Sequence, residues 1–390
     1  MTQPRTIKTF DDLTLKRLIK TYGDISYAKR QRAVHRGFCY DLPHEVGLQL
    51  TYKCNLRCKH CFQWDKNGFF QGYSSDKQQS ELAFSIIEKI LQDSYTEQGN
   101  LYIWGGEPLI HSQWHDIADL LSKDNRWKVL STNGLLIGEN IESILKISEN
   151  LVLIISIDGF EEGFDAIRGK GIYQKLISNL QLLYELKRKN IYKGLITINY
   201  VLSDENISTM AEFLECYNDS ALYDTVYFTF PYYISDETAE TMNRYFAENF
   251  TWLNKFALDH KPSWFSYNHH ISDTRSLKQQ LQKLQTKDWR VRVRLQPPLG
   301  VDDVDEFILG KAKPAQNRTE CYATTMRMDI LADGSVLTCK LFPELTIGSV
   351  YQEDIKTIWN NSNYREYRKI IGGGLMPICS QCIFLYLYGR

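Results

Sequence analysis

Six short apolar runs, separated by stretches whose apolar residues recur at intervals of three and four, constrain the fold of this 390-residue chain more than any other feature. The runs are Val46–Leu50, Leu101–Trp104, Lys128–Ser131, Leu151–Ile157, Leu195–Val201 and Thr225–Phe230. Between them lie helical patterns over Gln79–Leu91, Trp114–Ser122, Ile141–Ile147, Tyr173–Lys189 and Ile207–Tyr217. Short apolar runs bounded by polar turns read as buried strands, and strand–helix alternation sets successive strands parallel in one sheet. Right-handed crossovers curl such a sheet, so the expected fold is an α/β partial (β/α)6 TIM-like barrel with its chemistry at the C-terminal strand ends.

The flanking regions read differently. Residues 1–44 are charged, with a helical pattern at Leu13, Leu18, Ile19 and Tyr22, and form an N-terminal helical extension to a barrel over 45–232. From 233 to 319 the alternation breaks. Helices are expected over Glu237–His260 and Ser276–Leu284, with a basic strand-like piece at Trp289–Leu295, together a helical insertion or bridge. Residues 320–390 carry four cysteines and a hairpin, Met326–Ile330 and Val336–Cys339, closed by Asp333-Gly334.

Composition narrows the function classes. With 43% hydrophobic and 24% charged residues and a formal net charge of -1, the chain is an ordinary globular one without the basic excess of a nucleic-acid or anionic-membrane binder. No run approaches the ~18 consecutive apolar residues of a membrane span. The first ten residues lack an apolar signal core, so cytoplasm is the expected compartment. Nine cysteines are too sparse for a secreted disulfide scaffold, and their clustering points to metal ligation under reducing conditions.

Cys54, Cys58 and Cys61 lie on one loop just after the first strand, in Tyr52-Lys53-Cys54-Asn55-Leu56-Arg57-Cys58-Lys59-His60-Cys61-Phe62. A cubic four-iron cluster has four metal corners, and three close cysteines hold three of them while one iron stays open. A structural zinc site with His60 as fourth ligand is the other reading. Trp104-Gly105-Gly106-Glu107-Pro108 ends the second strand, where the glycines permit close backbone approach and the carboxylate can receive an ammonium. A plain Gly-Gly turn would look the same in isolation. Ser131-Thr132-Asn133-Gly134 and Ser156-Ile157-Asp158-Gly159 end the third and fourth strands. Asn133 and Asp158 serve equally well there as turn or cap residues.

Together these motifs resemble the radical SAM superfamily. The resemblance implies a [4Fe-4S] cluster on Cys54, Cys58 and Cys61 whose open iron takes the amino and carboxylate groups of S-adenosylmethionine. One electron from a flavodoxin- or ferredoxin-type donor then releases a 5′-deoxyadenosyl radical that abstracts a hydrogen atom. By the same resemblance Gly105, Gly106 and Glu107 hold the methionyl amine, Ser156 and Arg168 its carboxylate, Asn133 and Asp158 face nucleoside or substrate, and His60 contacts the adenine. Where the family usually has His-Asp, this chain has Phe164-Asp165.

Cys321-x12-Gly334-x4-Cys339 and Cys379-x2-Cys382 resemble the first half of a SPASM module, the shortened Twitch type. That implies one auxiliary [4Fe-4S] cluster with no open corner; zinc on the same four thiols is the alternative. Cys39 and Cys216 belong to neither set and read as buried inert thiols or, given a path to the barrel mouth, as hydrogen-atom donors. Most of the 24 tyrosines read as packing, although those between 227 and 233 follow the sixth strand and reach toward a lateral opening; His269-His270 reads as a solvated loop pair.

The resemblance, carried by residues 46–230 and 321–390, further implies a precursor peptide as substrate, with epimerisation, cross-linking or backbone excision as the outcome. Two alternatives stand beside it: an aminosugar-type small-molecule dehydrogenase, and a non-catalytic metal-bearing scaffold.

Overall fold

A computed structural model describes residues 3–253, 261–312 and 315–389. All six expected strands form: β1 (Glu45–Gln49), β2 (Asn100–Trp104), β3 (Lys128–Thr132), β4 (Leu151–Ser156), β5 (Leu195–Val201) and β6 (Thr225–Thr229). They pair in chain order, each parallel to the next. Consecutive parallel order with right-handed crossovers puts the helices on one face and leaves the other as the concave interior.

The helix expected from Gln79 begins only at Phe84. The intervening backbone is already engaged: Leu82 donates to the Leu50 carbonyl at 2.9 Å, and the Ser80 carbonyl accepts from Tyr52 at 3.1 Å. Residues that brace the start of the cysteine loop in this way cannot also close helical turns.

The sheet also extends beyond six strands. Part of the basic piece expected within the insertion forms β7 (Arg292–Gln296), parallel to β6 from Thr225↔Arg292 to Thr229↔Gln296. Its alternation hid it, because Val293 and Leu295 face the helices while Arg292 and Arg294 face inward. Helices Asp236–Asn249 and Thr274–Leu284 precede it, and residues 254–260 of the longer helix expected to His260 lie outside the described residues.

The C-terminal hairpin continues the same sheet on the opposite edge. Strands β8 (Arg327–Ile330), β9 (Ser335–Leu337) and β10 (Thr346–Ser349) complete the order β10-β9-β8-β1-β2-β3-β4-β5-β6-β7, with β8 parallel to β1. Gly47 makes this docking possible. A Cβ there would lie 2.0 Å from Asp329 Oδ1, whereas its absence leaves room for the buried Arg327–Asp329 ion pair at 2.7 Å. At the far edge, the Gln3 carboxamide accepts from Leu295 N at 2.9 Å and donates to its carbonyl at 3.2 Å, blunting β7. The N-terminal extension is one long helix, Asp12–Val34, capped by Asp11.

The core lies between sheet and helices, where Leu48, Ile103, Leu130, Leu153, Ile198 and Phe228 are fully buried against Ile87, Ile117, Ile144, Leu176 and Phe213. Alternate strand positions turn the other way. Gln49, Ser131, Ser156, Asn199, Arg294 and Gln296 therefore line the concave face among Tyr102, Val129, Val152, Ile154 and Tyr227, and the loops after β1 to β6 gather at its C-terminal rim.

Candidate functional site

The cysteine loop is stitched to the end of β2 by its backbone. Gly106 N donates to the Thr51 carbonyl and Glu107 N to the Lys53 carbonyl, both at 2.8 Å. Each glycine is required by that proximity: a Cβ at Gly106 would lie 2.2 Å from the Lys53 oxygen, and one at Gly105 2.9 Å from the Thr51 oxygen. The Gly-Gly step thus seats the loop itself, a role that spacing in the sequence does not distinguish from close approach to a ligand.

Within the loop, Cys54 Sγ accepts from Leu56 N at 3.4 Å and Cys61 Sγ from Trp64 N at 3.3 Å. The Arg168 Nη1 reaches Cys58 Sγ at 3.8 Å. Burial pushes the Cys54 thiol up to about 12 and that of Cys58 to about 11. Such thiols ionise only for a cation that displaces their protons, which is how iron or zinc would load them. No three His, Cys, Asp or Glu side chains among the described residues converge on one point as the shell of a single ion does. Three thiols on one short loop suit three corners of a multi-iron cluster, one sulfur per corner.

Glu107 is fully buried and held on three sides: Thr132 Oγ1 at 2.8 Å and Leu109 N at 3.2 Å donate to Oε1, and Asn133 N at 2.7 Å to Oε2. Burial outweighs those hydrogen bonds and raises its carboxyl to about 7, so a nearby ammonium would hold it ionised. Asn133 is a joint between loops. Its Nδ2 donates to Asn55 Oδ1 at 2.8 Å, and its Oδ1 accepts from Leu135 N at 3.0 Å.

Asp158, 0% exposed, is spent inside the protein. Its Oδ2 takes Arg168 Nε at 2.7 Å and Nη2 at 2.6 Å, and its Oδ1 takes Val201 N at 2.8 Å. Arg168 therefore arrives as half of a buried pair aimed at Cys58. Phe164, where the family pattern has histidine, is fully buried on the same helix, Glu161–Arg168. Ser156 is half-buried on the concave face.

His60 Nε2 lies 3.6 Å from Asp158 Oδ2, and burial depresses its imidazole to about 4, which leaves the ring neutral. Its Nδ1, the Trp104 Nε1 and both amide atoms of Gln49 are buried without a hydrogen-bond partner. Gln49 and Trp104 are register partners directly before the cysteine loop and the Gly-Gly step. Orphaned polar atoms of this kind suit a bound polar cofactor.

A cavity of about 120 Å³ opens beside the loop, lined by His60, Cys61, Phe62, Thr229, Tyr232, Tyr267 and His269. Cys321, Cys339, Cys379 and Cys382 all line a second, smaller cavity of about 60 Å³ with Tyr232, Tyr367 and Phe342. Burial raises Cys382 to about 12 and holds the other three thiols above the usual range. Four thiols around one enclosed space fit a fully ligated auxiliary cluster. Lys340 brings a cation there, its Nζ 4.3 Å from the Tyr102 ring, 4.9 Å from Trp104 and 4.6 Å from Phe384.

The structure brings neither remaining cysteine to the site. Cys39 precedes β1, and Cys216 ends the Met210–Cys216 helix that runs back toward the N-terminal sheet edge, so both lie opposite the cysteine loop. Cys216 is also exposed rather than buried. His269, by contrast, is more than a solvated loop residue, since it lines the first cavity with its ring 5.8 Å from that of His60. Sequence reading missed Tyr267, His269 and Thr132 as site residues. Thr132 stood inside a motif already singled out and His269 in a pair read as solvated, but nothing local marks Tyr267.

Comparison with known proteins places the same two regions in families. Residues 48–216 match the radical SAM superfamily and residues 321–383 the iron–sulfur cluster-binding SPASM domain. Pre-heme d1 synthase of Dinoroseobacter shibae is 30% identical over 176 residues, 44% of this chain and 40% of that protein. Mycofactocin maturase MftC of Mycolicibacterium smegmatis is 29% identical over 174 residues, 44% and 41% of the two chains. The matched stretch thus spans about two-fifths of the length of these curated relatives. Streptococcus suis SuiB bound to S-adenosylmethionine shares the fold at a TM-score of 0.57 and 14% identity, covering 96% of this chain and 79% of that one. SuiB bound to the precursor peptide SuiA gives 0.55 and 13%, with 93% and 73% covered. Among the described residues no helix is long and apolar enough to cross a membrane.

Proposed function

The chain carries a radical SAM domain followed by an iron–sulfur SPASM domain, and from that premise we propose that it is a radical SAM enzyme that modifies a ribosomally made peptide. In this reading Cys54, Cys58 and Cys61 hold the S-adenosylmethionine-binding [4Fe-4S] cluster, and Cys321, Cys339, Cys379 and Cys382 an auxiliary one. Bound together, cluster and S-adenosylmethionine supply a carbon-centred radical able to take a hydrogen atom from the substrate.

The protein's own residues do the rest. Glu107, oriented by Thr132 and Asn133, receives the methionyl amine, and that charge keeps its carboxylate ionised. Arg168 carries a positive charge to the Cys58 corner, where it meets the carboxylate with Ser156, while Asp158 keeps its guanidinium in place. His60, neutral and half-buried, offers a ring face to the adenine.

The observation that carries the peptide reading is the open sheet, whose concave face runs from β7 to β8 with the cysteine loop at its C-terminal rim and Tyr232 shared by the cavities beside the two thiol sets. An extended chain can lie along such a cleft and present one residue at the first cavity. The likeness to SuiB, solved with a precursor peptide, supports the same reading. The electron would come from a flavodoxin- or ferredoxin-type protein in a reducing cytoplasm.

The test is anaerobic reconstitution with dithionite, S-adenosylmethionine and a short peptide encoded beside this chain, in deuterated water. Release of 5′-deoxyadenosine with a mass change confined to that peptide is the expected result. Deuterium at one α-carbon identifies epimerisation, loss of two hydrogens a cross-link or oxidation, and a truncated backbone excision. Fully clustered protein that releases no 5′-deoxyadenosine overturns the enzymatic reading, and turnover of a small molecule in place of the peptide overturns the substrate class.

A further inference from the structure

Tyr232 lines both cavities, the one beside Cys61 and the one ringed by the four C-terminal cysteines. Its hydroxyl donates to the Ile378 carbonyl at 2.6 Å, one residue before Cys379. On the other side its ring meets Tyr267 edge-on at a centroid distance of 4.8 Å. Tyr267 in turn stacks on Phe62 at 4.7 Å and 18°, and Phe62 is bonded in sequence to Cys61. The contacts run without a gap from a thiol of one set to a thiol of the other, through three aromatic rings and one hydrogen bond.

We infer that Phe62, Tyr267 and Tyr232 form an electron path between the cluster on Cys54, Cys58 and Cys61 and the auxiliary cluster. The inference rests on the two-cluster reading above. The transfer is a single electron: a reduced cluster loses it, its oxidised neighbour gains it, no bond changes and no proton moves. Electronic coupling decays far more steeply across empty space than through packed π systems, so a filled route controls the rate.

The rings act as a medium rather than as stopping points. Oxidising a neutral tyrosine requires loss of its phenolic proton, and both hydroxyls donate to backbone carbonyls, Ile378 for Tyr232 and Leu341 for Tyr267, which cannot accept one. The ring should therefore matter and the hydroxyl should not.

The experiment uses full-length protein in which Mössbauer and EPR spectra first establish both clusters; absence of the auxiliary cluster would sink the two-cluster reading itself. A deazaflavin flash, with a sacrificial amine as reductant, then injects electrons, and freeze-quench EPR follows their redistribution between the two signals. Tyr267→Leu and Tyr232→Leu should slow redistribution by about tenfold or more, about 1.4 kcal/mol on the barrier, with g-values and iron content unchanged. Tyr267→Phe should stay close to the parent rate. Should the leucine variants load iron poorly, half-buried Phe62→Leu opens the same gap without touching the auxiliary cavity. Redistribution at the parent rate in the leucine variants, or equal loss in Tyr267→Phe and Tyr267→Leu, overturns the inference.

Discussion

Gly106→Ala tests what the Gly-Gly step is for. The new Cβ would sit 2.2 Å from the Lys53 oxygen, 2.5 Å from the Tyr52 oxygen and 2.6 Å from the Lys53 carbonyl carbon, all backbone atoms that no rotamer change can move. Restoring normal contact needs a shift of about 1 Å between β2 and the cysteine loop. Such overpacking costs about 1–3 kcal/mol. The same shift strains Gly106 N to Thr51 O and Glu107 N to Lys53 O, each bond contributing about 1 kcal/mol. The total, about 3–5 kcal/mol, corresponds to a melting point lower by about 4–6 °C in the apoprotein. After anaerobic reconstitution the variant should keep the auxiliary iron and lose most of the loop iron, about four per chain in place of about eight. Gly105→Ala, at 2.9 Å from a single oxygen, should be milder. A Gly106→Ala protein with full iron and parent-like melting that has lost only S-adenosylmethionine affinity would refute the argument, because the glycine would then serve the ligand and not the loop.

Other outcomes follow from the same geometry. Cys379→Ala should remove about four irons per chain and leave the loop cluster's EPR signal in place, since its cavity contains no loop cysteine. Arg168→Gln strands a carboxylate with no solvent exposure and should cost about 3–5 kcal/mol by chemical denaturation, with part of that recovered in the Asp158→Asn double variant. Asp224 gives a pH signature. Burial would raise its carboxyl, but Lys187 and Lys8, each 2.7 Å away, outweigh burial and hold it below the usual range. Its stabilisation is thus complete above an unfolded value of about 4 and is lost as pH falls through the lower folded value, so Asp224→Asn should be less stable than the parent at pH 7, with the gap closing in acid. Glu107 has the opposite sign. With a folded value raised to about 7, the apoprotein should lose stability as pH climbs from about 4.5 to 7, and Glu107→Gln should flatten that slope.

Periodicity alone located every strand from β1 to β6 within a residue or two, because a strand buried against helices must alternate or run apolar and a crossover helix must repeat at 3.6. The cysteine spacings were equally legible, since ligation of one cluster by neighbouring thiols is a local geometric demand. Strand β7 escaped because its inward positions are Arg292 and Arg294, and a charged interior face looks like a surface until the polar cleft that receives it is known.

The roles of single side chains divide along the same line. The family resemblance pointed to Gly106, Asn133, Asp158 and Arg168 as site residues, yet each meets a partner distant in sequence: the Thr51 carbonyl, the Asn55 amide, the Val201 amide and the Cys58 sulfur. Tyr232 and Tyr267 acquire their place between the two thiol sets only because β8 docks on β1 and brings the cavity of the C-terminal cysteines against Tyr232. The order of β1 to β6 and the two candidate thiol sets were thus legible in the chain, because both depend on near neighbours, whereas the placing of β7 to β10 in the same sheet was not. Tertiary structure alone decided which polar groups face one another across the cleft, because burial and charge pairing are properties of residues brought together from far apart in the chain.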